Sequence, residues 1–354
     1  MLKRARLHAM QLPREVIIGD GALPEVGQLY VRLGLEGPAL VVTGPKTWQV
    51  AGRDVAAFLS EQGIAAYTLR VEKPTLEEVK HVEEAARAWG IRAVVGVGGG
   101  SKIDVAKLAA SRLGVPMISV PTTASHDGIS SPFASIKGLN RPYSVRAQAP
   151  VAVLVDMDII VDSPPRLAAS GCGDVIAKFT AVRDWRLAHE LNGEYYGDYA
   201  ASLSLMSARL VAKNARRIGS GSREGLRVLM EALISCGVAM SIAGSSRPCS
   251  GSEHLFSHAL DVIRPSGALH GEQCGVGTIM MARLHGLNWR KIRAVLETVG
   301  APVDAGGISA TPEQVVEALL KAPSIRPERF TILSHVRLDA RGAEELARST
   351  RVIG

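Results

Sequence analysis

The stretch that most constrains the fold of this chain lies at residues 93–106, AVVGVGGGSKIDVA. A short apolar segment passes directly into Gly98, Gly99 and Gly100, and the following residues have the apolar spacing of a buried helix face. Glycines at a strand-to-helix turn let the backbone approach a bulky anion, and the first helical turn presents unpaired N–H groups to it. The spacing matches neither GxGxxG nor a P-loop, so it predicts either a structural turn or a pyrophosphate cradle.

Strands and helices alternate through the first half of the chain, which predicts an α/β fold with a parallel, doubly wound sheet. The predicted strands are residues 15–18, 38–42, 65–71, 93–97, 115–120 and 151–155, and the predicted helices are residues 23–33, 55–62 and 75–89. A hairpin is expected before the last strand, from residue 134 onwards. Ligands of such sheets bind at the carboxyl ends of strands, where Gly44, Glu72 and the glycine turn fall.

Strand signals disappear after Pro164 and Pro165, and helical periodicity continues from there. The predicted helices are residues 166–190, 199–217, 225–246, 253–263, 275–287, 289–299 and 311–321. Residues 156–165 are interpreted as a linker. The chain is therefore predicted to divide into a dinucleotide-binding α/β domain, residues 1–162, and an all-helical domain that binds metal and substrate, residues 163–354.

A polar loop, PTTASHDGISSP, follows the strand after the glycine turn and occupies residues 121–132. It is rich in hydroxyl groups and bounded by prolines, as expected for a loop that offers many hydrogen-bond donors. A capped turn with no ligand is the alternative.

Charge and cysteine content exclude several classes of protein. The formal net charge is +7, but the basic residues are dispersed and aromatic residues make up 4% of the chain, which favours small anionic substrates over nucleic acid. The four cysteines lack CxxC spacing, so neither a disulfide framework nor a cysteine-based zinc knot is expected.

No apolar run reaches the roughly 18 residues of a membrane span. The N-terminal segment lacks the features of a signal peptide, and we predict a cytoplasmic protein.

The strongest candidate for a metal site lies in the second half. His254 and His258 are four residues apart, so both imidazoles share one face of a helix. Asp174 and His270 each lie near a helix start and add a carboxylate and a third imidazole. Two histidines and one carboxylate with a vacant position are typical of a catalytic zinc, and spacing alone also allows His258 as a fourth ligand. With a nucleotide at the glycine turn, hydride transfer to a ketone is expected in the cleft between the halves.

Five segments carry a resemblance to a known family: GGGSKID, VPTTASHDGISSP, GCGDVIAK, GSEHLFSHALD and LHGEQCGVG. In this order they resemble the sn-glycerol-1-phosphate dehydrogenases, which belong with glycerol dehydrogenase, iron-containing alcohol dehydrogenase and dehydroquinate synthase. The resemblance implies a Rossmann-like N-terminal domain and an all-helical C-terminal domain. It also implies zinc-dependent reduction of dihydroxyacetone phosphate by NADH or NADPH. The product, sn-glycerol 1-phosphate, is a precursor of archaeal ether lipids.

The resemblance also implies roles for individual residues. Zinc ligation is implied for Asp174, His254 and His270. The resemblance implies catalytic roles and substrate contacts for Asp127, Asp174 and His258, and so assigns His258 to the substrate rather than to the metal. The implied cofactor contacts are Gly100, Ser101, Lys102, Ile103, Asp104, Thr122, Thr123, Ala124, Ser125 and Ser131.

Three other readings stay open from the sequence. Glycerol dehydrogenase shares the fold and metal but acts on uncharged polyols. Dehydroquinate synthase has a similar pair of histidines, but its first metal ligand is glutamate, whereas this chain has Asp174. A non-catalytic nucleotide-binding module with a basic surface for another macromolecule would bind no metal.

Position and residue type give candidates for the phosphate-binding residues, the cofactor, the metal and the oligomeric state. The candidates for binding the substrate phosphate, chosen by position, are Arg141, Arg146, Lys178 and Arg264. Glu72 favours the ribose hydroxyls of NADH, whereas Lys46 and Lys73 tolerate a 2′-phosphate, so dual use of the cofactors is expected. The ligand set also suits iron or nickel. A homo-oligomer is expected, because apolar helical domains of this type commonly self-associate.

Overall fold

A computed structural model of the chain describes residues 8–137, 144–265 and 267–354. Its strands lie between residues 15 and 156, and the chain after residue 156 is helical. The strands are β1 (Glu15–Gly19), β2 (Ala39–Thr43), β3 (Ala66–Arg70), β4 (Ala93–Gly98), β5 (Met117–Pro121), β6 (Phe133–Ala134), β7 (Val145–Arg146) and β8 (Ala152–Asp156).

Six of these strands form one parallel sheet in the order β1-β8-β5-β4-β2-β3. In register, Val95 of β4 lies between Val41 of β2 and Ile118 of β5. All residues of β2, β4, β5 and β8 are buried, so these central strands read as continuous apolar runs. The predicted α/β class with a parallel sheet is therefore confirmed. The short strands β6 and β7 pair antiparallel, as expected for the hairpin.

Helices cover both faces of the sheet. Those between strands are α1 (Glu25–Arg32), α2 (Pro45–Thr47), α3 (Arg53–Glu61), α4 (Leu76–Ala88) and α5 (Gly100–Leu113). A π-helical turn at Trp48–Gly52 joins α2 to α3, and a 3-10 turn at Asp127–Ile129 interrupts the polar loop.

The second part of the chain contains twelve helices in the described ranges. They are α6 (Met157–Val161), α7 (Pro165–Ile176), α8 (Lys178–Asn192), α9 (Asp198–Lys213), α10 (Ala215–Gly219), α11 (Arg223–Ala243), α12 (Ser252–Ile263), α13 (His270–Leu284), α14 (Trp289–Thr298), α15 (Pro312–Ile325), α16 (Ile332–Val336) and α17 (Ala340–Ser349). The all-helical character is confirmed, whereas the division at residue 162 stays a prediction.

Several element boundaries differ from expectation; the helix predicted over residues 199–217, for example, is divided into α9 and α10. The expected linker contains α6, because the Asp156 carboxylate accepts the N–H of Asp158 and caps a short helix. Helix α13 begins five residues earlier than predicted, because Glu272 accepts the N–H of Leu269. The helix predicted over residues 166–190 is interrupted at Ala177, which keeps helical dihedrals, so α7 and α8 follow one another directly.

One apolar core continues from the sheet into the helical part. It includes Val42 of β2, Val175 of α7 and Phe256 of α12, all fully buried. A second core on the other face of the sheet packs Val41 and Val95 against α1 and α3. The carboxyl ends of β4 and β5 therefore face α7, α12 and α13 across a shared core.

Helix α11 is long and apolar enough to cross a membrane by length and composition alone. However, 67% of its most apolar window is buried inside the protein, as is typical of a core helix of a soluble protein.

Candidate active site

The glycine turn has the conformation of an anion cradle. Gly98 ends β4 with φ of +150°, a region that side-chain-bearing residues rarely adopt, and Gly99 precedes α5 in extended conformation. Helix α5 begins at Gly100, and its first N–H groups have no intrahelical acceptor. The positive end of the helix and these donors favour a phosphate group at this position.

The predicted cofactor residues that follow Gly100 point in different directions. Ser101 is exposed at the helix start, whereas Ile103 is fully buried in the core. Lys102 extends sideways, and its Nζ donates to the carbonyl oxygen of Glu72 at 2.5 Å. Burial lowers the pKa of Lys102, although Glu78 and Glu72 partly oppose that effect. The exposed start of α5 and the side of β3 therefore share one surface.

Asp104 is tied into the protein rather than exposed to a ligand. Its carboxylate lies 3.2 Å from Nζ of the fully buried Lys107 and accepts the N–H of Ser135 at 3.0 Å. Lys107 also donates to the carbonyl oxygens of Gly128 and Phe133, each at 2.5 Å. This network fixes the end of the polar loop to α5.

The start of the polar loop lies beside the glycine turn. The N–H of Thr122 donates to the carbonyl oxygen of Gly98 at 3.1 Å. The buried Oγ1 of Thr122 has no hydrogen-bond partner in the described part of the chain, so it is available to a ligand. Oγ1 of Thr123 and Oγ of Ser125 are 3.1 Å apart. The cradle and these hydroxyl groups therefore form one polar surface.

The rest of the loop is fixed by close packing on α7 and α11. A Cβ on Gly171 would overlap the carbonyl oxygen of Ala124, so α7 approaches the loop backbone directly. Ser131 is buried, and its Oγ bonds to the backbone of Phe133. The imidazole of His126 covers Gly100, where a Cβ would overlap the ring.

The three predicted metal ligands converge. Oδ1 of Asp174 on α7 lies 3.5 Å from Nε2 of His254 on α12. The rings of His254 and His270 meet edge to face with centroids 5.0 Å apart, and His270 is the first residue of α13. The structure thus brings together one carboxylate and two imidazoles from three helices, a donor set that suits a divalent metal.

Both imidazoles are oriented by hydrogen bonds at Nδ1. Nδ1 of His254 lies 2.8 Å from Oε1 of Glu253, and Nδ1 of His270 lies 3.1 Å from Oγ of Ser257. Ser257 in turn donates to Oε1 of Gln273 at 2.6 Å. Such outer partners fix the tautomer and leave Nε2 for a metal. Sequence reasoning missed Glu253 and Ser257, although Glu253 is next to His254 and Ser257 is next to His258 on the same helix.

Asp127 and Asp174 share a buried cation that sequence reasoning placed elsewhere. Lys178 is fully buried, and its Nζ lies 2.7 Å from Oδ2 of Asp127 and 2.7 Å from Oδ1 of Asp174. The N–H of Asp127 also donates to Oδ2 of Asp174 at 2.9 Å. Burial alone raises the pKa of Asp174, but Lys178 and His254 hold it well below its usual range. Lys178 is therefore occupied by the carboxylates and is a poor candidate for the substrate phosphate.

The imidazole of His258 lies next to the three converging side chains. Its ring stacks on that of His270 with centroids 5.7 Å apart and an interplanar angle of 22°. Burial, together with the positive potential of His270 and His254, holds the pKa of His258 well below its ordinary value. The imidazole is therefore neutral at physiological pH.

A thiol that sequence reasoning missed borders the same site. Cys274 follows His270 by one helical turn, is fully buried, and places Sγ 3.5 Å from Nε2 of His270. Burial alone raises the pKa of Cys274, but His254 and His270 outweigh burial and lower the pKa to about 7. The i, i+4 spacing from His270 was the signal in the sequence.

The remaining arginine candidates for the substrate phosphate differ in their surroundings. Arg146 donates to the carbonyl oxygen of Gly244 at 3.4 Å. Arg264 follows α12, and its buried Nη1 has no hydrogen-bond partner among residues 8–137, 144–265 and 267–354. Arg141 lies outside the described residues. Arg264 is thus the candidate with an unused buried donor.

Comparisons with known proteins show the family of this chain. A family model described as iron-containing alcohol dehydrogenase matches residues 17–164. A glycerol-1-phosphate dehydrogenase (NAD(P)+) of Pyrococcus abyssi is 53% identical over 98% of this chain and 100% of its own length. The enzymes of the same name from Thermococcus kodakarensis and Methanosarcina mazei are 54% and 52% identical, over 98% and 97% of this chain and 99% and 96% of their own lengths. The chain belongs to the glycerol-1-phosphate dehydrogenase family. The resemblance and the prediction of an oxidoreductase are therefore confirmed.

Solved structures similar to this glycerol-1-phosphate dehydrogenase family member support the fold alone. A glycerol dehydrogenase from Schizosaccharomyces pombe has a TM-score of 0.80 at 18% identity and covers 98% of this chain and 91% of its own. A 1,3-propanediol oxidoreductase has a TM-score of 0.78 at 17% identity, with 98% and 100% covered. The two-part architecture is thus shared with dehydrogenases of distant sequence.

Proposed function

We propose that this chain reduces dihydroxyacetone phosphate to sn-glycerol 1-phosphate with NADH or NADPH, for the synthesis of archaeal ether lipids. The main support for the proposal is a hydrogen bond that links the two halves of the chain. Asp127 lies in the polar loop, which starts beside the glycine turn, and its N–H donates to the carboxylate of Asp174. That carboxylate in turn lies against His254. A metal held there would lie next to a cofactor on the sheet.

The residues present fit a divalent metal ion. Asp174, His254 and His270 would hold it, since both histidines have Nδ1 engaged and a carboxylate faces them. We propose zinc as this ion. When bound, the ion supplies a Lewis acid for the ketone oxygen, and the reduced nicotinamide supplies the hydride.

The residues of the chain position the substrate and move a proton. Asp127 accepts a substrate hydroxyl, and Lys178 holds its carboxylate in place at 2.7 Å. His258 is neutral, so it relays a proton from solvent to the product oxygen by accepting at one nitrogen and releasing at the other. Arg264 donates to the substrate phosphate through its unused buried Nη1.

The cofactor contacts are proposed along the glycine turn and the start of the polar loop. The N–H groups of Gly100 and Ser101 take the pyrophosphate, and Thr122 offers its buried Oγ1. Ile103 and Asp104 contribute through backbone position rather than through side chains, which are engaged in the core. Nζ of Lys102 contacts the backbone of the exposed Glu72, so a carboxylate and a cation both lie near the glycine turn, and we propose dual use of NADH and NADPH.

The cellular setting is part of the proposal. We propose a cytoplasmic homo-oligomer whose residues 1–162 bind the dinucleotide and whose residues 163–354 bind metal and substrate. The substrate is a small phosphorylated ketone, and no nucleic acid partner is proposed.

A direct assay tests the proposed function. Dihydroxyacetone phosphate and dihydroxyacetone are each offered with NADH and with NADPH, and the enantiomer of the product is identified with a stereospecific enzyme. We expect turnover of the phosphorylated ketone and the sn-1 enantiomer. Preferential turnover of dihydroxyacetone would instead identify a glycerol dehydrogenase, and turnover of neither would contradict both.

A further inference from the structure

One cluster of metal-binding side chains in the described residues combines two imidazoles with a thiol. Donor atoms of His254, His270 and Cys274 all lie within 4.8 Å of one another. Cys274 is fully buried on α13, one turn after His270, so its side chain lies on the same helix face. The thiol therefore faces the imidazoles that the metal would bind.

The distances agree with a tetrahedral metal ion. With bonds of about 2.3 Å to sulfur and about 2.05 Å to nitrogen, tetrahedral angles separate these two atoms by about 3.6 Å. Sγ of Cys274 lies 3.5 Å from Nε2 of His270. The same arithmetic gives about 3.4 Å between nitrogen and a carboxylate oxygen. Oδ1 of Asp174 lies 3.5 Å from Nε2 of His254.

A second cluster with thiols does not offer an alternative site. Asp127, Cys236 and Cys249 also have donor atoms within 4.8 Å of one another. This cluster contains no imidazole, and Nζ of Lys178 bridges its carboxylate to that of Asp174 at 2.7 Å each. Sγ of Cys274, by contrast, contacts the imidazole of His270.

We propose that Sγ of Cys274 is the fourth ligand of the metal ion in the substrate-free enzyme, an inference that rests on the metal function proposed above. A metal–sulfur bond forms, the thiol proton is released to solvent, and no electron is transferred. The ligand set is then Asp174, His254, His270 and Cys274. Catalytic zinc sites can expand to five ligands, so such a set would still leave room for the substrate oxygen.

Cobalt spectroscopy tests this ligand set without reference to activity. The full chain is stripped of metal, titrated with Co²⁺ alone, and followed in the visible and near-ultraviolet. The wild type should show visible bands of tetrahedral cobalt and a strong sulfur-to-cobalt charge-transfer band. Cys274→Ser and Cys274→Val should keep the visible bands and lose the charge-transfer band, with Kd raised at least about tenfold. Cys172→Ala, another fully buried cysteine, is the matched control and should retain both.

Proton release gives a second measurement of the same bond. The wild type should release one more proton per bound Co²⁺ than Cys274→Val at a pH below the thiol titration. Stoichiometric cobalt binding without a charge-transfer band in the wild type, or a band that survives in Cys274→Val, would overturn the ligation and leave the three-ligand site intact. Failure of the wild type to bind cobalt would overturn both this inference and the proposed metal function.

Discussion

His254 and His270 owe their orientation to neighbours that the motif alone does not reveal. Glu253 holds Nδ1 of His254, and Ser257 holds Nδ1 of His270. Replacing His270 with Ala should abolish zinc binding and lower turnover by at least about a thousandfold, since a Lewis-acidic ion contributes several kcal/mol. Metal analysis and kinetics on the same sample check this. A variant without zinc that retains full activity would contradict it.

His258 should give a pH dependence of stability opposite to that of a salt-bridged histidine. In the unfolded chain it titrates near its ordinary pKa of about 6.5, whereas in the folded protein it binds a proton only at lower pH. The unfolded state therefore binds more protons below about pH 6.5, and the free energy of unfolding falls as the pH drops.

Removing His258 should remove this slope. Chelator-treated wild type is expected to lose up to about 1.4 kcal/mol per pH unit below pH 6.5 relative to His258→Asn. Urea denaturation at a series of pH values measures the difference. Equal slopes for the two proteins would contradict a depressed pKa at this position.

Arg264 should discriminate between phosphorylated and unphosphorylated ketones. Replacing Arg264 with Gln removes the unused buried Nη1, so KM for dihydroxyacetone phosphate should rise about tenfold, the lower range for a hydrogen bond to a charged group. The rate of dihydroxyacetone turnover should stay the same as in the wild type. Arg290→Gln, at an arginine stacked on Trp289, is the control. An equal effect of Arg264→Gln on both ketones would argue against phosphate binding.

The convergence of Asp174, His254 and His270 could be predicted from the sequence, but the partners of the charges could not. The spacing of His254 and His258 and the motif around His270 predicted neighbouring imidazoles, and their rings lie close together in the structure. Lys178, by contrast, lies four residues after Asp174, which predicts an ordinary surface pair as well as a buried one. Its burial depends on packing between distant segments, which no local pattern encodes.

Two glycines of α7 should have separable effects, because each contacts a different part of the site. A Cβ on Gly171 would overlap the carbonyl oxygen of Ala124 in the polar loop, whereas a Cβ on Gly173 would overlap that of Gly271 at the start of α13. Overpacking of this kind typically costs about 1–3 kcal/mol.

Gly171→Ala should therefore raise KM for the reduced cofactor, and Gly173→Ala should weaken zinc binding by displacing His270. Cofactor kinetics and zinc titration on both variants measure the two effects. If both variants lost zinc and cofactor to the same extent, α7 would act as one rigid unit and the separate roles would be wrong.

Many strands and helices could be predicted because the apolar residues that form the continuous core also form clear patterns in the sequence. The fully buried strands β2, β4 and β5 were all found as apolar runs. Helix starts were less predictable, since they depend on side chains that bond the backbone. Asp156 begins α6, Glu272 begins α13 early and Asp339 begins α17, and none of these lies in an apolar periodicity.

At the scale of the whole molecule, Lys178 joins the two parts of the chain. It bonds Asp127 from the sheet side and Asp174 from the helical side, and it is fully buried. Replacing Lys178 with Met would remove the cation shared by the buried Asp174 and the partly buried Asp127, and the free energy of unfolding should fall by about 3–5 kcal/mol.

A double-mutant cycle isolates this link. Lys178→Met combined with Asp127→Asn should recover part of the loss, because one of the two orphaned charges is then removed. Denaturant unfolding of the four proteins without metal gives the coupling energy. Additivity within about 0.5 kcal/mol would show that the two side chains act independently.

The central claim is that Asp174, His254 and His270 hold one ion facing a dinucleotide on the sheet. Crystals grown with zinc and NAD(P)+ and measured at the zinc absorption edge test it directly. We predict a single anomalous peak at bonding distance from these three side chains, on the side of the nicotinamide. A peak elsewhere, with the three side chains directed to separate places, would contradict the account.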